Sequence, residues 1–243
     1  MDYADHIEAT ERAAGDFVDA MRAGPVTVDV PTCPDWQLTD LARHVGQFTG
    51  LWTHVLCEGT GRPKTPFRDD PEDGELADWC EENFGHLLSE LRATAADTEV
   101  WTWVPDDQSA AFVGRRTTHE LTVHRFDAQS ARQRAQPIDP AVAADGIEEI
   151  FTMIRTWETA PGGAAGNGET LHLHGTDRED EWLLTLGSDG LGVERRHAKG
   201  DLALRGAVSD LELLLYDRPT IGEVERLGDT AVLDAWYRVF HFG

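Results

Sequence analysis

The 243-residue sequence lacks any apolar run near the ~20 residues that a membrane-spanning helix needs. It has three cysteines, Cys33, Cys57 and Cys80, an odd number without CxxC spacing, which argues against a disulfide framework and a structural cysteine–zinc site. Positive charge is scarce: 21 Lys and Arg face 45 Asp and Glu, for a net charge of −24. Such a field repels nucleic-acid phosphates and anionic lipid heads, and Arg115-Arg116 and Arg195-Arg196 are too short to track a nucleic acid. Neither nucleic acid nor a membrane is an expected partner. The opening Met1–His6 has no basic segment followed by an apolar one, so no secretory signal is read and a cytoplasmic protein is expected. There is no Gly-x-Ser-x-Gly elbow, and the Gly-rich stretch at 162–168 lacks both the Lys-Ser/Thr ending of a phosphate loop and a preceding strand.

The composition is that of a globular chain, 40% hydrophobic and 27% charged, long enough for one large domain or two modest ones. Apolar residues at helical spacing predict a first helix over about 3–23 and a second from Leu38 to Val55, with Gln37 a poor cap. Residues 59–75 are rich in Gly, Pro and charge, and a loop that long often serves as a lid or mobile rim. A third helix carries Leu76, Trp79, Cys80, Phe84, Leu87, Leu88 and Leu91, and Trp101–Pro105 reads as a turn. A fourth helix covers about 115–133, and Asp139-Pro140 opens a fifth. After a linker at 161–168, short alternating segments at 170–174, 181–186, 191–195 and 201–205 read as strands, with helices at 211–216 and 231–240. The expected fold is α+β: a helical bundle over 1–160 followed by a small α+β domain over 161–243.

The fourth helix carries His119-Glu120-Leu121-Thr122-Val123-His124, one residue too long for HExxH. At about 100° per residue, His119 and His124 lie ~140° apart, whereas Glu120 and His124 share a face. His44 lies on the apolar stripe of the second helix with Leu41, Phe48 and Leu51. Together His44, Glu120 and His124 could give three ligands and an open fourth position, the pattern of a catalytic zinc site. Blander readings compete: Thr117-x-x-Glu120 also fits a capping box, and His44 could be a hydrogen-bonded core histidine. His172 and His174 alternate with leucines; strand histidines two apart can bind metal, though a solvated or interdomain sheet face is the simpler reading. His54 and His86 have no acidic partner at fixed spacing and read as structural. Cys33 precedes a helix N-terminus that could activate a thiol, but structural burial is the favoured reading, and the eight tryptophans read as packing.

Taken in order, Cys33-Pro34-Asp35-Trp36, Leu41-Ala42-Arg43-His44 and Glu120-Leu121-Thr122-Val123-His124-Arg125-Phe126-Asp127-Ala128 resemble the mycothiol-dependent maleylpyruvate isomerase family. That family is the actinobacterial branch of the DinB-like metal-binding four-helix bundles. Leu171–Asp177, Asp201–Gly206, Ser209–Arg218 and Gly228-Asp229-Thr230 are similar to its C-terminal domain; Gln37 departs from the usual Ser or Thr cap. The resemblance implies a DinB-like four-helix bundle with His44, Glu120 and His124 as ligands to zinc or another divalent metal. It also implies mycothiol as a thiol cofactor, whose sulfur would take the open position and lose its proton there. The thiolate would add to the cis double bond of maleylpyruvate, and elimination after rotation would return the trans isomer; the same thiolate could instead act in S-transfer to a small electrophile. An anionic substrate needs a local cation, for which Arg218 is the first candidate and Arg205 the second; a salt bridge to one of the 45 acids explains either equally well. A metal-dependent hydrolase on the same bundle and a non-catalytic metal- or ligand-binding protein stand as alternatives, in a monomer or homodimer.

Overall fold

A computed structural model describes residues 1–59, 61, 71–158 and 166–240, leaving side chains 157, 158 and 239 aside. The loop expected at 59–75 therefore lies largely outside the described residues, as do 161–165 of the linker and the Trp157 side chain. The architecture is α+β, and the described chain divides into two compact units, Met1–Gln136 and Pro137–Gly243.

The first unit is a bundle of α1 (Tyr3–Arg22), α2 (Leu38–Glu58), α3 (Leu76–Ala93) and α4 (Ala110–Ala131). Each helix packs on two neighbours, α1 on α4 and α3, and α2 on α3 and α4. The stripes read from the sequence are the buried ones: Phe17, Leu38, Leu41, Val45, Leu76, Cys80, Phe84 and Leu121 share one core. Full burial of a Leu or Phe side chain contributes roughly 1.5–3 kcal/mol. α2 and α3 approach so closely at Gly46 that a Cβ there would lie 2.0 Å from the Trp79 ring. Gln37 caps α2, and its backbone N–H donates to the Asp40 carboxylate at 2.9 Å.

α4 begins five residues before the expected 115, because the Ser109 hydroxyl accepts the Phe112 N–H at 3.2 Å and starts the helix there. Its start is hidden in the sequence since α4 is buried nearly all round and shows no clean apolar stripe. Thr117 is consequently mid-helix, its hydroxyl bonded to the Val113 carbonyl at 2.9 Å, and the capping-box reading of Glu120 falls.

The second unit holds α5 (Pro140–Glu158), a five-stranded sheet, α6 (Val208–Leu215) and α7 (Ala231–Val239). Where the sequence pattern puts the boundary at 160/161, the units divide before α5, which packs against α6 and β3. Its start is as expected: Asp139 accepts the Ala141 and Val142 N–H groups, with Pro140 as the first helical residue. The strands are β1 (Glu169–Gly175), β2 (Glu181–Gly187), β3 (Gly190–Glu194), β4 (Leu202–Gly206) and β5 (Glu225–Gly228). Their order is β3-β2-β1-β4-β5, with β1 and β4 parallel and the other neighbours antiparallel. Leu171, Leu173, Trp182, Leu184, Leu202 and Leu204 share one buried face, and the Trp182 indole donates to Glu148 of α5 at 2.8 Å. β5 is absent from the sequence reading because all four of its residues are exposed and no apolar alternation marks it.

Candidate metal centre

The bundle brings His44, Glu120 and His124 together. His44 Nε2 lies 2.9 Å from Glu120 Oε1, and His124 Nε2 lies 3.5 Å from the same oxygen. The two imidazoles meet edge to face with centroids 4.9 Å apart, and one ligand atom from each residue falls within 4.8 Å of the others. The i, i+4 spacing on α4 delivers Glu120 and His124, and the α2–α4 contact delivers His44.

Two further residues of α4 hold these groups in place. Arg116 donates to Glu120 Oε2 one turn away, and Asp127 Oδ2 accepts from His124 Nδ1 at 2.9 Å. Burial alone would push the Glu120 carboxyl up; the Arg116 guanidinium, with His124 and His44, outweighs it and holds the carboxyl well below its usual range. Burial likewise opposes a charge on His124, yet Asp127 and Glu120 outweigh it and raise the imidazole to about 9. The donor set suits a divalent metal: two imidazoles and an ionised carboxylate converge, and the second nitrogen of His124 already has the carboxylate partner that metal-bound histidines use. A metal would take the place of the proton on His124 Nε2, with Nδ1–H still donating to Asp127.

His44 is the most exposed of the three, its side chain 38% accessible, and forms part of a cleft of about 490 Å³ with Asp35, Trp36, Asp40, Arg43 and Gln47. Trp36 stands 5.2 Å from the His44 ring, carried on a loop that turns at Asp35 (φ 67). The Phe48 ring lies 6.5 Å from that of His44, with the Arg116 guanidinium over it. Cys33 is buried, and its thiol donates to Asp127 Oδ2 at 3.4 Å.

The other residues singled out in the sequence lie elsewhere. His119 is fully buried on the α1 side of α4, its ring 5.8 Å from that of His6. His54 and His86 belong to no group of potential ligands among the described residues. Arg218 sits in the second unit after α6, which ends with Asp217 in the left-handed region (φ 58) and the Arg218 N–H bonded back to Leu213 O at 2.8 Å. Its guanidinium donates to the Tyr216 carbonyl, and it lines a cleft with Pro219, Thr220, Arg226 and Tyr237. Arg205 on β4 is half-exposed, 3.7 Å from Glu225 on β5. The sequence reading gives Arg116 and Asp127 no role at the site, although their spacing, Arg-x-x-x-Glu and His-x-x-Asp, is there to be read; Arg43 offers no such spacing.

A four-helix bundle with a two-histidine, one-carboxylate cluster opening on a cleft, followed by an α+β unit, defines the class. The chain belongs to the mycothiol maleylpyruvate isomerase family: the model of that family's N-terminal domain matches residues 7–129. A solved mycothiol-dependent maleylpyruvate isomerase is similar to it with a TM-score of 0.65 over 93% of each chain at 12% identity. A histidine-to-alanine mutant of that enzyme gives a TM-score of 0.65, the same coverage and 13% identity. At these identities the likeness shows the fold. No curated protein sequence matches the chain. Among the described residues, no helix is long and apolar enough to cross a membrane.

Proposed function

We propose that the protein is a mycothiol-dependent enzyme that uses zinc or another divalent metal, held by His44, Glu120 and His124, to act on a small electrophile. The reaction would be cis–trans isomerisation of a maleylpyruvate-like acid, or S-transfer. The observation that carries the reading is the convergence of these three side chains beside a cleft, in a member of this family. When bound, the metal would supply the Lewis acidity that deprotonates a thiol at neutral pH.

The chain's own residues prepare that chemistry. Arg116 keeps Glu120 ionised, and Asp127 fixes the ring orientation and tautomer of His124. Trp36 and Phe48 give the His44 ring two aromatic neighbours at the cleft. Arg218 and Arg205 are the proposed cations for the substrate's carboxylates. Arg218 is the stronger of the two: its backbone is fixed by the closure of α6, whereas Arg205 holds an exposed pair of little energetic weight.

The test is turnover of maleylpyruvate by metal-loaded and chelator-stripped protein, each with and without mycothiol. Turnover that needs both supports the reading. Metal-dependent hydrolysis of an ester or amide panel without thiol would favour the hydrolase, and ligand binding that survives metal removal without turnover would favour the binding protein.

A further inference from the structure

Alternation along β1 sends Leu171 and Leu173 to the helix-covered face of the sheet and His172 and His174 to the other. Antiparallel pairing sets Glu181 of β2 directly opposite His174 and diagonal to His172, on that same face. The connection between β3 and β4 adds His197. Glu181 Oε2 accepts from His172 Nε2 at 2.8 Å and from His197 Nδ1 at 2.7 Å, while His174 Nδ1 lies 3.3 Å from Oε1. The three rings stand nearly edge to face, with centroids 5.2 to 6.0 Å apart.

One carboxylate gathers three imidazoles, two from β1 and one from the β3–β4 connection. Three imidazole nitrogens converging on one carboxylate is a donor set that also suits a divalent metal. A nearby cation is already turned aside, since Arg205, beside His174 in the parallel register, leans toward Glu225. One ligand atom from each of the four residues lies within 4.8 Å of all the others. Tetrahedral ligands at zinc–nitrogen and zinc–oxygen distances sit about 3.3 Å apart; the His174–Glu181 separation equals that value, and those of His172 and His197, at 2.8 and 2.7 Å, would open by about half an ångström around an ion.

We propose that His172, His174, Glu181 and His197 form a second metal site, for zinc or a similar late first-row divalent cation. Three imidazoles and one carboxylate suit such ions over magnesium or calcium. Four protein ligands fill a tetrahedral shell, so the site is structural: it staples the β3–β4 connection onto β1 and β2. His172 is buried and His197 exposed, so the ion enters from the His197 side and is enclosed as that residue docks.

The test uses untagged full-length protein carrying His44→Ala, which removes the bundle centre from the count. The chain is stripped with a chelator, reloaded with zinc and dialysed, with circular dichroism to confirm the fold. One zinc per chain is expected, and none once His197→Ala is added. Because His197 is exposed, that variant should fold; Glu181→Gln gives an independent second loss. Cobalt(II) should give the intense visible bands of a tetrahedral site, abolished by either change. No zinc retained by folded His44→Ala protein, or full zinc retained after His197→Ala or Glu181→Gln, overturns the proposal. Failure of the bundle centre would show separately, as equal metal in wild type and His44→Ala.

Discussion

The helical bundle and the sheet each gather histidines around one glutamate, but they do so by different means. In the bundle, Glu120 and His124 come from one helix at i, i+4, and each has its own buried partner, Arg116 and Asp127. In the sheet, strand register and a loop residue assemble the group, and Glu181 alone serves three imidazoles. The bundle cluster could supply three protein ligands and opens on a cleft, and the sheet cluster could supply four. An incomplete shell held rigidly from behind is suited to chemistry; a complete one closed by a surface loop is suited to holding structure.

Changes in the bundle should sharpen that contrast most. His124→Ala should remove the bundle metal and abolish turnover while the sheet cluster keeps its ion; metal analysis paired with activity would expose the opposite, an active variant. Asp127→Asn should be milder, lowering bundle metal affinity about 10–100-fold in a chelator competition. An unchanged affinity would mean that the carboxylate behind His124 does not tune it. Gly46→Ala drives a methyl group into the Trp79 ring and should cost about 1–3 kcal/mol in urea unfolding of the bundle, with metal stoichiometry unchanged.

The metal-free bundle also responds to pH. In the metal-free bundle His124 titrates at about 9 against a reference of 6.5, so its contribution to stability is complete below about 6.5 and is lost as pH rises through 9. Glu120 has the opposite sign: its contribution is present above its ordinary value and is lost as pH falls through its lowered one. The melting temperature of the apo chain should therefore fall by several degrees between pH 6.5 and 9.5, and His124→Gln should flatten that fall. The smallest effect is expected of Cys33→Ser: turnover within about twofold of wild type, because a serine hydroxyl can still donate to Asp127. An inactive folded variant would put a protein thiol in the chemistry.

The bundle was the more legible half of the molecule. Helical periodicity exposes the stripes of α1, α2 and α3, and i, i+4 spacing exposes Glu120 with His124, because both rules are local. The start of α4 was obscured by its burial on all sides, and β5 by its exposure on all sides. In the sheet, His172 and His174 were visible as an alternating pair. Glu181 and His197 could be added only once strand register and the path of a connection were known, and neither is written in local spacing. The placement of α5 with the second unit has the same origin, since its stripe says that it is buried and not against what.

The most direct test of the account is metal content by mass spectrometry, on untagged wild-type protein and on His44→Ala prepared in parallel. The account predicts one divalent ion fewer per chain in the folded variant than in the wild type. Equal metal content in the two would contradict it, leaving the bundle cluster a hydrogen-bonded group without a metal.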